Sequence, residues 1–400
     1  MLFTSKEKFG RVRKIAVVSD SALGFGSPDI LGLCDGLCEH FGAEGLLIQP
    51  DDLNRPLVEL NFKANVRSLR IFSLLPTYAR SWRWSYFQQA GKALDKFQPD
   101  LVVAVGPNGY GGALAMRWKP KCMVYYMLEM ATHELLYARL HEYGNARFDA
   151  YIVPDTERHA IDFGNLRWKK DVLVEPILLT APIDYPNPLV PRPWDKRNGQ
   201  MIYFGHIHPE ETLLENMLGP ELDDYLIEFY GRVGGSERAA VANRIASTPG
   251  KVYRGLATPE ELAEVLPQFA YSLVTWKPVG HIGRYHLPAT KLYHSVLAGV
   301  PVIAVPNPLN TYFIRRFGVG ILMSSWSRRA FEEAISNAMQ MVGTDAYREM
   351  VENCRKASET VFQWDRQVAR AAALIEKALA KKWERALPFR KPADADTEAS

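Results

Sequence analysis

Short apolar runs rich in Val, Ile and Tyr alternate with longer stretches of helical periodicity along most of this chain. In the first half the runs lie at 14–19, 45–49, 100–106, 122–127, 149–153 and 172–174. Helical patterns separate several of them, at 29–41, from about Gly112, and in a segment carrying His133 and Glu134. Continuous apolar runs joined by helices predict strands covered on both faces, and hence a parallel sheet wound with helices on both sides. At 185–198 the pattern stops in YPNPLVPRPWDKRN, whose four prolines predict a linker. A second series follows, with runs at 201–204, 227–230, 251–253, 271–276, 301–305 and 320–323, and then a long helical region from about 345 to 387 interrupted at Phe362-Gln363-Trp364-Asp365.

The expected architecture is therefore α/β, with two Rossmann-like doubly wound parallel-sheet domains. The expected boundaries are 1–184, a linker at 185–199, 200–344, a helical region at 345–387 and a disordered polar tail at 388–400. With 400 residues, 47% of them hydrophobic, the chain is long enough for two cores. A net charge of +3 is too small for a dedicated nucleic-acid surface. Cys34, Cys38, Cys122 and Cys354 are too few and too irregularly spaced for a disulfide framework or a zinc site. No run reaches about 18 apolar residues and the N-terminus carries no secretion signal, so the expected location is cytoplasmic.

One stretch of the first half departs from this balance. From Leu60 to Leu94 there is no acidic residue, while Lys63, Arg67, Arg70, Arg80, Arg83 and Lys92 are interleaved with Phe62, Phe72, Tyr78, Trp82, Trp84, Tyr86 and Phe87. This composition suits contact with an anionic membrane surface or a lipid-linked acceptor, and it suits better a solvated helix face whose aromatics are core.

The chemistry converges on 286–306, HLPATKLYHSVLAGVPVIAVP. Pro288 suits a first helical turn and Gly299 a left-handed helix end, which predicts a helix from about Pro288 to Ala298 leading straight into a buried strand. Thr290 and Lys291 set a hydroxyl, an ammonium and free backbone N–H groups at the helix start, an arrangement that binds diphosphates. On residues alone the pattern fits any helix–strand unit. The segment also resembles the nucleotide-sugar-binding helix of glycosyltransferases with the GT-B fold, in particular the large retaining family four. Lys291, Leu292, Tyr293, Ala298, Gly299, Val300, Pro301, Val302 and Ile303 carry the match. The resemblance extends from about residue 15 to 380 and includes DAYIVPDTE, the turn PID, and the aromatic-x-Trp-acid element at 362–365.

The resemblance implies a transferase that moves sugar from a UDP- or GDP-sugar to a glycan or lipid-linked acceptor in polysaccharide synthesis, with retention, and a terminal helix returning to the first domain. It implies no metal and no cofactor beyond the nucleotide-sugar substrate. Asp-x-Asp occurs only at 394–396, in the tail. Candidate donor-binding residues are Gly205, His206, Arg232, Lys277, Arg284, Thr290, Lys291 and His294; each of the cations is equally readable as a surface charge. The family's Arg and Lys after the first strand of this domain are replaced by Gly205-His206-Ile207-His208. Its two glutamates, eight positions apart, fall on His286 and His294, and a neutral histidine accepts one hydrogen bond where a carboxylate accepts two. His286, Glu129 and His133 are the catalytic candidates, and Gly24, Gly26, Asn108 and Asp155 the acceptor-side candidates. An epimerase that releases free sugar, and a degenerate transferase serving as a binding subunit, are the rival readings.

Overall fold

The computed structural model describes residues 11–51, 58–72, 80–128, 135–156, 160, 172–234, 238–277 and 290–386. Thirteen strands form two sheets. The first contains β1 (Lys14–Val18), β2 (Glu44–Pro50), β3 (Val66–Ile71), β4 (Leu101–Val105), β5 (Cys122–Tyr126), β6 (Ala150–Val153) and β7 (Leu173–Pro176), in the order β3-β2-β1-β4-β5-β6-β7. The second contains β8 (Met201–Phe204), β9 (Ile227–Tyr230), β10 (Lys251–Gly255), β11 (Tyr271–Val274), β12 (Val302–Ala304) and β13 (Gly320–Leu322), in the order β10-β9-β8-β11-β12-β13. Every pairing is parallel. Central strands such as β4 and β5 are buried at every position, as helices on both faces require. In each sheet the strand order reverses beside the first strand, between β1 and β4 and between β8 and β11, which opens a crevice at the strands' carboxyl ends.

One of the apolar clusters spans both sheets, beside others confined to one domain. Val103 and Ile152 of the first domain belong to the same buried cluster as Val274, Leu292, Val302 and Phe362. The last helix, Trp364–Ala386, crosses back onto the Pro28–Phe41 helix of the first domain. Gly32 and Gly36, one turn apart, admit it: a Cβ on Gly36 would lie 2.7 Å from the Val368 side chain, and one on Gly32 would meet the Trp364 ring. Gln367 fixes the crossing by accepting from the Leu178 amide at 3.0 Å, and Arg370 pairs with Glu175 at 2.8 Å.

Two local expectations are corrected. β3 was not anticipated, because on this edge strand three consecutive residues, Arg67, Ser68 and Leu69, face solvent and leave no apolar run to read. The Gly106–Asn108 segment is not a turn before a helix at Gly112; the helix Gly106–Ala115 starts directly at the end of β4. Gly106 takes φ 58°, and the Asp20 carboxylate caps this entry by accepting from the Asn108 amide.

The basic aromatic stretch divides. Trp82 and Tyr86 stack with centroids 5.4 Å apart inside the core, Phe87 is buried beside them, and Arg67 and Arg70 form ion pairs with Glu44 and Asp51. Phe72 and Trp84 remain exposed. Tyr78 lies outside the described residues. No described helix is long and apolar enough to cross a membrane.

Candidate active site

The carboxyl ends of the two sheets face each other across a cleft of about 480 Å³. The second domain supplies Phe204, Gly205 and His206 after β8, Tyr230 and Gly231 after β9, Leu256 to Pro259 after β10, Trp276 after β11, and Thr290, Lys291 and His294 from the Thr290–Leu297 helix. Phe25 to Asp29 and Leu128 of the first domain form the opposite wall.

Backbone geometry brings the second domain's wall together. Gly231 takes φ 147°, and a Cβ there would fall 1.8 Å from the Gly205 carbonyl oxygen, so only glycine lets the loops after β8 and β9 touch. The Gly205 N–H donates to the Tyr230 carbonyl at 2.8 Å, and Ile207 pairs with Val233 in a further bridge. A Cβ on Gly205 would lie 3.2 Å from the Lys291 ammonium, so the bare backbone there lets the lysine approach.

The Thr290–Leu297 helix is buried on nearly every side. Tyr293 anchors one face against Phe313 and Phe362, with centroids 5.5 and 5.3 Å away. The face toward the cleft carries polar groups at the same depth. Lys291 is only 7% exposed, and its Nζ lies 5.3 Å from the Tyr203 ring and 5.2 Å from the Trp276 ring. Among the described residues it pairs with no carboxylate. Loss of hydration holds its pKa down at about 8, which keeps about 3 kcal/mol of charging cost available for an incoming anion to relieve.

His294, 6% exposed, packs against the Phe204 ring. Burial pushes its pKa down to about 4, outweighing a hydrogen bond to the Ala181 backbone, so the ring is neutral at pH 7. Its Nε2 has no partner, although that atom is buried. With the other nitrogen turned to a backbone carbonyl, Nε2 carries a lone pair and waits for a hydroxyl donor. His206 stands at the mouth, exposed to the cleft, its pKa lowered by partial desolvation and then by His208, Lys291 and Arg232.

Of the sequence candidates, the structure brings Gly26, Gly205, His206, Thr290, Lys291 and His294 into one cleft lining. Arg232 is half-buried after β9, near His206 but outside the lining. Lys277 is also outside it, half-buried, with its backbone N–H donating to the Glu211 carbonyl at 2.7 Å. Gly24 faces a separate small recess with Val58. Asn108 is folded onto Asp20, and Asp155 is buried, both away from the lining. Arg284, His286, Glu129 and His133 lie outside the described residues.

Three residues at or behind the cleft lining carry chemistry that sequence reasoning passed over. Tyr203 and Trp276 supply the ring faces for Lys291, and their strand ends were legible but not their orientation. Asp29 entered the sequence reading only as the first position of the helical pattern at 29–41. The signal that would have found it is an acid in the first turn of the helix that follows the β1 loop.

No family model matches the chain, and no curated protein matches it by sequence. Solved structures do. Sucrose-phosphate synthase from Thermosynechococcus elongatus superposes with a TM-score of 0.69 at 14% identity, over 92% of this chain and all of that one. The fold is GT-B. A glycosyltransferase from Rickettsia africae gives a TM-score of 0.63 at 12% identity, covering 92% of this chain and 99% of the other. HepE of Anabaena, in complex with UDP and glucose, gives 0.61 at 13% identity, covering 93% and 100%. At such identities the likeness establishes the GT-B architecture, two parallel-sheet α/β domains with a returning terminal helix, and leaves the activity to be argued from the cleft.

Proposed function

We propose that the protein is a glycosyltransferase that binds a nucleoside diphosphate sugar in the interdomain cleft and passes the sugar to a hydroxyl acceptor. One observation carries this reading: a buried ammonium and a buried imidazole nitrogen, each without a partner among the described residues, lie one helical turn apart and line the same cleft. A diphosphate answers the first and a ribose hydroxyl the second. The leaving diphosphate develops charge in the transition state, and a desolvated cation already in place stabilises that charge without reorganising.

The finer assignments rest on the family resemblance. Retention follows from the preserved spacing of His286 and His294. A lipid-linked acceptor in polysaccharide synthesis, reached from the inner face of a membrane, is supported by the exposed Phe72 and Trp84. The reaction on this reading needs no metal, because Lys291 and the helix start supply the positive field.

The test is incubation with a panel of UDP- and GDP-sugars, scored for nucleotide release with and without glycan acceptors and for conversion of the sugar itself. Release that rises with acceptor supports the transferase. Acceptor-independent release coupled to an altered free sugar identifies an epimerase, and tight nucleotide binding without turnover identifies a binding subunit.

A further inference from the structure

The wall of the cleft opposite Lys291 holds an acid. Asp29 is the only carboxylate among the described lining residues, and its side chain is 3% exposed. Its Oδ2 accepts a hydrogen bond from the Tyr126 hydroxyl at 2.9 Å, and no described basic side chain pairs with it. Its surroundings along the lining are largely apolar: Phe25, Pro28, Leu128 and Leu179. A carboxylate in a first helical turn gains from the helix dipole, but an exposed one gains as much without the desolvation cost of burial. The fold therefore holds an acid where stability alone would not place it.

The cleft is polarised as a result, with Lys291, His206 and neutral His294 on one wall and Asp29 on the other. A diphosphate is drawn to the first wall and repelled by the second. What suits the second is a neutral group with hydroxyls to donate. We propose that Asp29 accepts a hydrogen bond from the acceptor's nucleophilic hydroxyl and so aims it at the donor sugar, a role that rests on the nucleotide-sugar reading of this cleft.

Burial raises the pKa of Asp29 to about 6, partly offset by the Tyr126 hydrogen bond. Only the ionised form accepts fully, so activity falls as pH drops through that region. Of the other titratable groups at the cleft, His294 titrates near 4, Lys291 near 8, and Tyr126 and Tyr293 far above neutrality. Partial desolvation and the neighbouring His208, Lys291 and Arg232 hold His206 below the ordinary histidine value, and its share is read from His206→Gln.

The experiment measures nucleotide release from UDP-glucose, UDP-galactose, UDP-N-acetylglucosamine and GDP-mannose with water as the acceptor probe, alongside calorimetric UDP affinity. Asp29→Ala is expected to lower turnover at least tenfold and Asp29→Asn less, with UDP affinity within twofold of the parent. The acid limb of the pH profile should vanish in Asp29→Asn. In Tyr126→Phe it should move to higher pH, because the hydrogen bond that favours the carboxylate is gone. Unchanged turnover in Asp29→Ala, or UDP affinity that falls in step with turnover, overturns the assignment. A parent that binds UDP but releases nucleotide from none of the four donors also overturns it and leaves the donor site standing. A parent that does not bind UDP removes both.

Discussion

Two lysines of the second domain are buried to nearly the same depth and do different things. Lys251, 5% exposed at the start of β10, donates its three protons to the carbonyls of Leu222, Tyr225 and Pro249 at 2.8, 3.2 and 3.1 Å. Its capacity is fully used by the fold. Lys291, 7% exposed, lies against two aromatic rings and keeps its hydrogen-bonding protons unspent among the described residues. Burial lowers the pKa of both. Depth and charge alone do not separate a structural cation from a binding one; the partners do.

The largest effect that would test this contrast is on stability. Lys251→Ala leaves three carbonyls without their donor and should cost roughly 2 to 4 kcal/mol in denaturant unfolding, with the UDP affinity of the folded fraction unchanged. Lys291→Ala should behave in the opposite way. Its unfolding free energy should stay within about 1 kcal/mol of the parent, while calorimetric UDP affinity weakens by roughly 1 to 3 kcal/mol. If the two variants lose the same property, the distinction between the lysines fails.

A pH titration sharpens the same point. Lys291 loses its proton near 8 when free, and a bound diphosphate raises that value. UDP affinity should therefore hold between pH 7 and 8 and fall as pH rises above 8, by up to about tenfold per unit until the bound-state pKa is passed. Calorimetry at pH 8.5 in buffers of different ionisation heat should show proton uptake on binding. Flat affinity from pH 7 to 9.5 would mean the ammonium does not meet the diphosphate.

The smallest effect concerns His294. With one acceptor atom free, His294→Ala should weaken UDP by about 0.5 to 1.5 kcal/mol, the worth of one neutral hydrogen bond. The parent should bind deoxyribose analogues of UDP less well than UDP, and the variant should bind both alike. Equal preference in the parent would place the ribose away from this ring.

Much of the frame was readable before any coordinates. The apolar runs from β4 onward located most of the strands to within a residue or two, and the pattern break at 362–365 marked the start of the returning helix. Pattern reading failed at β3, an edge strand with half its residues in solvent, and at Gly106, where a helix begins without a loop. The basic aromatic stretch left two readings open for a related reason: composition lists Trp82 and Trp84 together, but helical phase buries one and exposes the other.

For the cleft, local sequence placed Thr290 and Lys291 on a helix, and located the loop Gly205-His206 and the strand that follows Gly299, because turn chemistry and helix phase act over a few residues. It could not determine which charges stay unpaired, since pairing depends on groups distant in the chain. Lys251 is hydrogen-bonded by carbonyls up to 29 residues away, whereas Lys291 meets Tyr203, 88 positions earlier, through a ring face. Asp29 faces this helix only because the terminal helix, seated over Gly32 and Gly36, ties the first domain to the second across one continuous core. The free energy of a buried charge is set by what surrounds it in space, and that was decided by the tertiary structure alone.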